Sequence, residues 1–433
     1  MAILGTFMVP HPPLIVEEIG GEEINKIRKT RDSYIQVAKE IGKLKPDTII
    51  VSSPHAPLYR DYFYLPNKEE AIGSFSNFGA PSVKFNQKYD VDLIKEIEKI
   101  SNEKDFPCGR LDSNDTLDHG TMVPLYFINK YLTNYKLVVI GLSDISLEAN
   151  YDMGKIIIEA VNNLNKKVVY VASGDLSHKL KEYGPYGFIK EGPIYDKRIM
   201  DVMSNAKFEE LLKFDLNFLD KAAECGHRSF IMMSGFLNNT KVTPKCYSHE
   251  DITGVGYGIC SYYPADPYVE LARKTINTYI KEKKILQIPK DIPKEFLENE
   301  AAVFVSIHEK DELRGCIGTI YPTTKCVAQE IINNAISAST EDPRFYPIEE
   351  FELNDLEINV DVLTIPEEIN DLSLLDPKKY GVIVSRDYKQ GVLLPDLDGI
   401  DTVEEQISIA KRKAGIYDNE ETKIKRFEVI RHK

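Results

Sequence analysis

Four short segments carry the residues able to do chemistry: Val9-Pro10-His11-Pro12-Pro13, Ser53-Pro54-His55, Gly174-Asp175-Leu176-Ser177-His178 and Glu224-Cys225-Gly226-His227. In the first three, a histidine stands where an apolar, strand-like run ends. Neutral imidazoles and a carboxylate gathered at the carboxyl edge of an α/β sheet are the ingredients of an open-sided Fe(II) site, which keeps positions free for oxygen and substrate. A single histidine of this kind is more often a surface-loop residue. Three at equivalent strand ends, in a chain with eight histidines, point to a shared site.

Each segment adds a detail. His11 is hemmed by three prolines, so its loop is stiff and its imidazole is held at low entropic cost. His178 follows a Gly-Asp-Leu-Ser turn in which Asp175 or Ser177 could fix its ring. His119 lies in Thr116-Leu117-Asp118-His119-Gly120-Thr121-Met122-Val123-Pro124 at the start of an apparent helix, as a second acid/base or a substrate clamp, with Asp118 as a possible cap. Glu224 and Cys225 precede the apolar run Phe230–Leu237, and either could supply a third metal ligand, although a carboxylate at a helix start is usually a dipole partner. Tyr183-Gly184-Pro185-Tyr186-Gly187-Phe188 could form an aromatic lid or an ordinary loop. Ser248-His249-Glu250-Asp251 reads as a solvated turn before it reads as a metal cluster, and Gly254-Val255-Gly256-Tyr257-Gly258 lacks the following helix that a phosphate loop needs.

The elements that must position these residues alternate apolar strands with amphipathic helices over residues 1–263, the rhythm of a layered α/β domain. Expected strands are Ile3–Val9, Thr48–Ser53, Leu137–Leu142, Val168–Ala172 and Val255–Tyr262; expected helices cover Glu22–Leu44 and Tyr151–Leu164. Two prolines in Tyr262-Tyr263-Pro264-Ala265-Asp266-Pro267 mark a linker. Residues 264–433 then read as a smaller α+β domain. Its expected elements are a helix over Tyr268–Glu282, a hairpin of Ala302–Ile307 and Leu313–Ile320 around the polar Glu309-Lys310-Asp311-Glu312, a helix over Cys326–Ala338, strands at Leu356–Leu363, Val382–Val384 and Gly391–Leu394, a helix at Val403–Ala414, and a closing strand near Lys425–Ile430.

At 433 residues and 42% hydrophobic content the chain suits two or three globular cores. Its net charge of −14 argues against a protein that grips nucleic acid through its bulk surface. Six cysteines without a CxxC pair fit reduced thiols, most of them packed in cores, and no apolar run reaches the ~18–20 residues of a spanning helix. A cytoplasmic protein with no signal peptide is expected.

In the second domain, alternation along Leu313-Arg314-Gly315-Cys316-Ile317-Gly318 places Arg314 and Cys316 on one face, where the guanidinium would favour a reactive thiolate. Its glycines would admit close approach by a ligand.

Residues 2–263 resemble the class III extradiol ring-cleavage dioxygenases, of the LigB catalytic-subunit type: the His-Pro-Pro, Ser-Pro-His, Asp-His-Gly-Thr-Met-Val-Pro-Leu and Asp-Leu-Ser-His motifs stand in the family's order. The resemblance implies Fe(II) bound by His11, His55 and Glu224, with His119 and His178 as acid/base residues beside a catechol-like substrate and dioxygen. The Glu224-Cys225-Gly226 stretch also looks like the Memo relatives, in which a cysteine joins three histidines; there Cys225 and His178 are the alternative ligands and ring cleavage is not the expected activity. From Asp266 onward the chain resembles the AMMECR family, through the Leu313–Gly318 segment, Glu341-Asp342-Pro343-Arg344-Phe345 and Gly391-Val392-Leu393-Leu394-Pro395. The pairing of the two resembles the AmmeMemoRadiSam grouping, which implies a radical SAM protein as partner.

Overall fold

The computed structural model describes residues 2–112, 116–290, 292–310, 312–353, 355–397 and 399–432. Asp311, placed by the sequence in a polar turn, lies outside them. The chain divides into two compact units, Met1–Pro264 and Ala265–Lys433.

Among the described residues, the first unit is built on a six-stranded sheet in the order Lys136–Gly141, Thr48–Ser53, Val168–Ser173, Ile3–Val9, Tyr257–Pro264, Val242–Glu250. The first four strands run parallel to one another; Tyr257–Pro264 pairs antiparallel with Ile3–Val9, and Val242–Glu250 pairs antiparallel with Tyr257–Pro264. Thr48–Ser53 and Val168–Ser173 are buried along their whole length, as continuous β-branched runs covered on both faces must be. Helices Arg28–Leu44, His119–Ile128, Leu147–Asn163 and His227–Phe236 supply the cover, with Tyr34, Val37, Ile41, Ile156, Ile157, Phe230 and Phe236 in the core.

Three differences from the expected elements have simple causes. The helix expected from Glu22 opens as a tighter 3-10 stretch over Gly21–Ile27 and becomes α-helical at Arg28. Val255 and Gly256 precede their strand because the Gly256 backbone bonds Leu176 and Ser177 instead of a sheet neighbour. Val242–Glu250 is a strand although its composition is polar: it lies at the sheet edge, where only one side is covered.

The second unit curls an antiparallel sheet in the order Glu312–Gly318, Ala302–Glu309, Leu356–Leu363, Lys423–His432, Tyr380–Arg386, Lys389–Leu393, with Glu367–Ile369 also pairing with Lys423–His432. Helices Pro267–Glu282 and Val327–Thr340 pack on one part of this sheet, and Val403–Ala414 packs on another. Among the described residues, no helix is long and apolar enough to cross a membrane.

Candidate metal centre

The strand-end histidines converge. His11 leaves the Ile3–Val9 strand through Pro10, whose carbonyl accepts the Tyr34 hydroxyl at 2.7 Å, and its own N–H donates to Asp175 Oδ1 at 2.8 Å. Register places Ser173 opposite Val9, so the serine that ends the neighbouring strand stands beside the imidazole. Ser173 Oγ donates to the Gly120 carbonyl at 2.5 Å and lies 2.9 Å from His11 Nδ1. A hydroxyl has one proton, and that proton faces the carbonyl. His11 must therefore carry its hydrogen on Nδ1, which presents the bare Nε2 lone pair to the site.

Nε2 of His55 lies 3.1 Å from this atom, and the Cys225 sulfur lies 3.5 Å from it. The three donor atoms fall within 4.8 Å of one another. Two nitrogens held at about 2.1 Å by one ion, at right to tetrahedral angles, would lie roughly 3.0–3.4 Å apart, so the spacing fits a shared cation. The Asp175 N–H donates to the Cys225 sulfur at 3.3 Å, an arrangement that favours a thiolate. Burial, with the Asp175 and Glu224 carboxyls adding, pushes the Cys225 thiol well above its usual value. A cation is what would release that proton.

A glycine pair makes the approach possible. A side chain on Gly174 would collide with the Gly226 backbone, so the loops carrying Asp175 and Cys225 can meet only where both residues lack a Cβ.

Glu224 is placed elsewhere. Its Oε2 accepts the His227 N–H at 2.6 Å, at the start of helix His227–Phe236, and burial, partly offset by that bond and by Arg228, pushes the carboxyl up to about 7. The structure thus groups Cys225, not Glu224, with His11 and His55. His227 is a core histidine, with Nε2 3.0 Å from the Leu211 carbonyl and Nδ1 3.3 Å from the Tyr195 hydroxyl.

His119 and His178 stand around the cluster. The His119 ring is centred 4.1 Å from His55 and 5.3 Å from both His11 and Phe78. Asp118 caps its helix by accepting from Thr121 N–H at 3.0 Å and from Ser53 Oγ at 2.6 Å. His178 lies 5.3 Å from the Tyr186 ring, which stacks on it at 27°. The residues expected to fix His178 bond elsewhere: Asp175 Oδ1 accepts the His11 N–H, and Ser177 Oγ donates to the Ala222 carbonyl. Burial, then the neighbouring His55, pushes both His119 and His178 down to about 4, so both imidazoles are neutral near pH 7, each with one ring nitrogen lone pair as an acceptor. A cavity of about 390 Å³ opens on this side, lined by His55, His119, Phe78 and Met122 among others.

Ser173 and Asp175 are the residues that sequence reasoning undervalued. Their signal was position: both follow directly from where the Val168–Ser173 strand stops. The Ser248–Asp251 segment forms no metal cluster, since His249 bonds Asp196 at 3.0 Å, Glu250 accepts from Thr30 at 2.6 Å, and Asp251 pairs with Lys181 at 2.8 Å.

In the second unit the expected Arg314–Cys316 pairing does not occur. His308 pairs with Leu313 but Ile307 pairs with Gly315, which leaves Arg314 as the extra residue of a bulge. Alternation fails across it. Arg314 instead bonds Glu352 at 2.7 Å and the Tyr346 carbonyl at 2.7 Å. The guanidinium near Cys316 belongs to Arg344, which donates to the Cys316 carbonyl at 3.1 Å. Cys316 lies on the wall of a cavity of about 860 Å³, its sulfur 3.2 Å from Ser306 Oγ. The glycines serve packing here: a Cβ on Gly315 would strike the Ala338 carbonyl, and one on Gly318 the Phe304 ring.

Comparison with known proteins agrees with this division. The profile of the catalytic LigB subunit of aromatic ring-opening dioxygenase matches residues 5–260, and that of AMMECR1 matches residues 269–432. A Clostridium acetobutylicum protein is 40% identical over the full length of both chains. A Thermotoga maritima protein is 48% identical over 169 residues, 39% of this chain and 97% of its own. The crystal structure of an uncharacterised Pyrococcus horikoshii protein is 33% identical, covering 38% of this chain and 88% of that one, with a TM-score of 0.35. The chain belongs to the LigB family and carries an AMMECR1 domain fused behind its LigB domain.

Proposed function

We propose that the LigB domain is a metal-binding protein of Memo-like type, in which His11 Nε2, His55 Nε2 and Cys225 Sγ hold one reduced first-row ion, iron(II) among those that suit imidazole and thiolate together. The observation that carries this reading is the convergence of those three atoms around a His11 tautomer already set by Ser173. Such an ion, when bound, supplies Lewis acidity and one-electron chemistry. The carboxylate that the two-imidazole, one-carboxylate set of ring-opening oxygenases would need from Glu224 accepts a backbone N–H at a helix start, which supports the thiolate reading. His119 and His178 can take up and return protons at their ring nitrogens, and Phe78 and Tyr186 offer flat walls to a small aromatic ligand. A radical SAM protein is the working partner this reading expects, on the strength of the domain pairing.

A second reading, an Fe(II)-dependent extradiol-type dioxygenase, is favoured by one feature: two neutral histidines flank the cluster, as proton transfer to and from a catechol would require.

Anaerobic metal analysis of wild type, Cys225→Ala and Glu224→Gln, followed by oxygen uptake with catechols, separates the two. Loss of metal in Cys225→Ala, retention in Glu224→Gln and no uptake support the Memo-like role. Metal loss in Glu224→Gln together with wild-type oxygen uptake would replace it with the dioxygenase.

A further inference from the structure

The edge strand Val242–Glu250 of the LigB-domain sheet and its neighbour Tyr257–Pro264 carry a second chemical feature. Register between Val242–Glu250 and Tyr257–Pro264 pairs Ile259 with Ser248, then Cys260 with Cys246, so Tyr247 is an extra residue. The bulge is what brings the thiols face to face; an unbroken ladder would set Cys260 opposite Tyr247. Tyr247 is tied down by its hydroxyl, which bonds Glu40 and lies 3.0 Å from Ser261 Oγ. Residues directly opposite in an antiparallel pair have Cα atoms about 4.5–5.5 Å apart, inside the roughly 4.4–6.8 Å span of disulfides. The pair is also asymmetric: Cys246 is exposed and Cys260 is buried.

We propose that Cys246 and Cys260 form an oxidation site, a cross-strand dithiol that closes to a disulfide when it meets a small disulfide oxidant of the glutathione type. The exposed Cys246 thiolate attacks the oxidant, whose S–S bond breaks and releases one thiol. The Cys260 sulfur then displaces the second thiol from Cys246. Two electrons pass to the oxidant, each cysteine gives up its proton, and two reduced thiols leave. Hydrogen bonding to Cys260, against some burial, with Ser204, His249 and Lys29 assisting, draws the Cys246 thiol down to about 6, which suits it to the attacking role. The site lies in the same sheet that delivers His11, since Cys260 also pairs with Met8.

The test is to treat the full chain with oxidised glutathione, alkylate the remaining thiols, and map peptides without reduction. The expected result is a Cys246–Cys260 cross-linked peptide in wild type, an at least tenfold or so loss of Cys246 alkylation, and a persistent glutathione adduct on Cys246 in Cys260→Ser. A persistent adduct on Cys246 in wild type, or no oxidation of either thiol, would overturn the proposal.

Discussion

Cys225 and Cys316, one thiol in each domain, occupy opposite kinds of surroundings. Around Cys225, two imidazole nitrogens and the sulfur crowd within 4.8 Å, and the Asp175 N–H and the Ser173 hydroxyl hold the sulfur and the His11 ring there. Around Cys316, polar groups lie spread across three strands, with Asn359, Ser306 and Cys316 in one row of the register, over a cavity of about 860 Å³. Convergent donors suit a single ion, whereas a spread of donors on a concave sheet has room for a molecule. The topology explains the difference. Parallel strands end together and direct their following loops to one point, while an antiparallel sheet presents its functional groups along its face.

Breaking the convergent site should give the largest effect. His11→Ala removes the best-oriented donor, and metal affinity measured by titration under anaerobic conditions is expected to fall by more than about 100-fold, beyond the range for loss of a supporting residue. Ser173→Ala leaves all three donors but frees the His11 tautomer. Affinity should fall by roughly 10–100-fold, and a change below twofold would show that the hydroxyl does not orient the ring. In the second domain, Gly315→Ala should destabilise by about 1–3 kcal/mol by driving a methyl into the Ala338 carbonyl, read from chemical denaturation. An unchanged midpoint would return that glycine to a ligand-facing role.

The smallest effect is a pH dependence at the Cys316 wall. Asp342 accepts from the Arg344 side chain at 2.7 Å and from the Cys316 N–H at 2.9 Å; the Arg344 bond, working against burial, holds the carboxyl well below the usual carboxylate range. A carboxyl depressed in the fold stabilises it above the unfolded value near 3.9, and that contribution disappears as pH falls toward the folded one. Thermal unfolding from pH 6 to 2 should show an acid limb that flattens in Asp342→Asn. Arg344 is half exposed, so screening keeps the effect modest.

Much of this arrangement is legible in the sequence, because the clues are local. Apolar β-runs ending in histidine give both the sheet and the neighbourhood of His11, His55 and His178, and Asp118 before His119 marks a helix start. What escapes depends on details without a local signal. The strand Val242–Glu250 is polar because it is an edge, and Arg314 leaves its face because one inserted residue breaks the alternation. The choice between Glu224 and Cys225 turns on which of two adjacent side chains meets a helix N–H, something no composition or spacing encodes.

Glu224 and Cys225 are consecutive, and the helix that follows engages the oxygen and leaves the sulfur for the imidazoles. On the proposed reading, the hardness of the site is set by phase along the chain. Deleting Cys225 would set Glu224 directly ahead of Gly226 while keeping that glycine against Gly174, and the metal preference of that variant would show whether an oxygen can stand in for the sulfur beside His11.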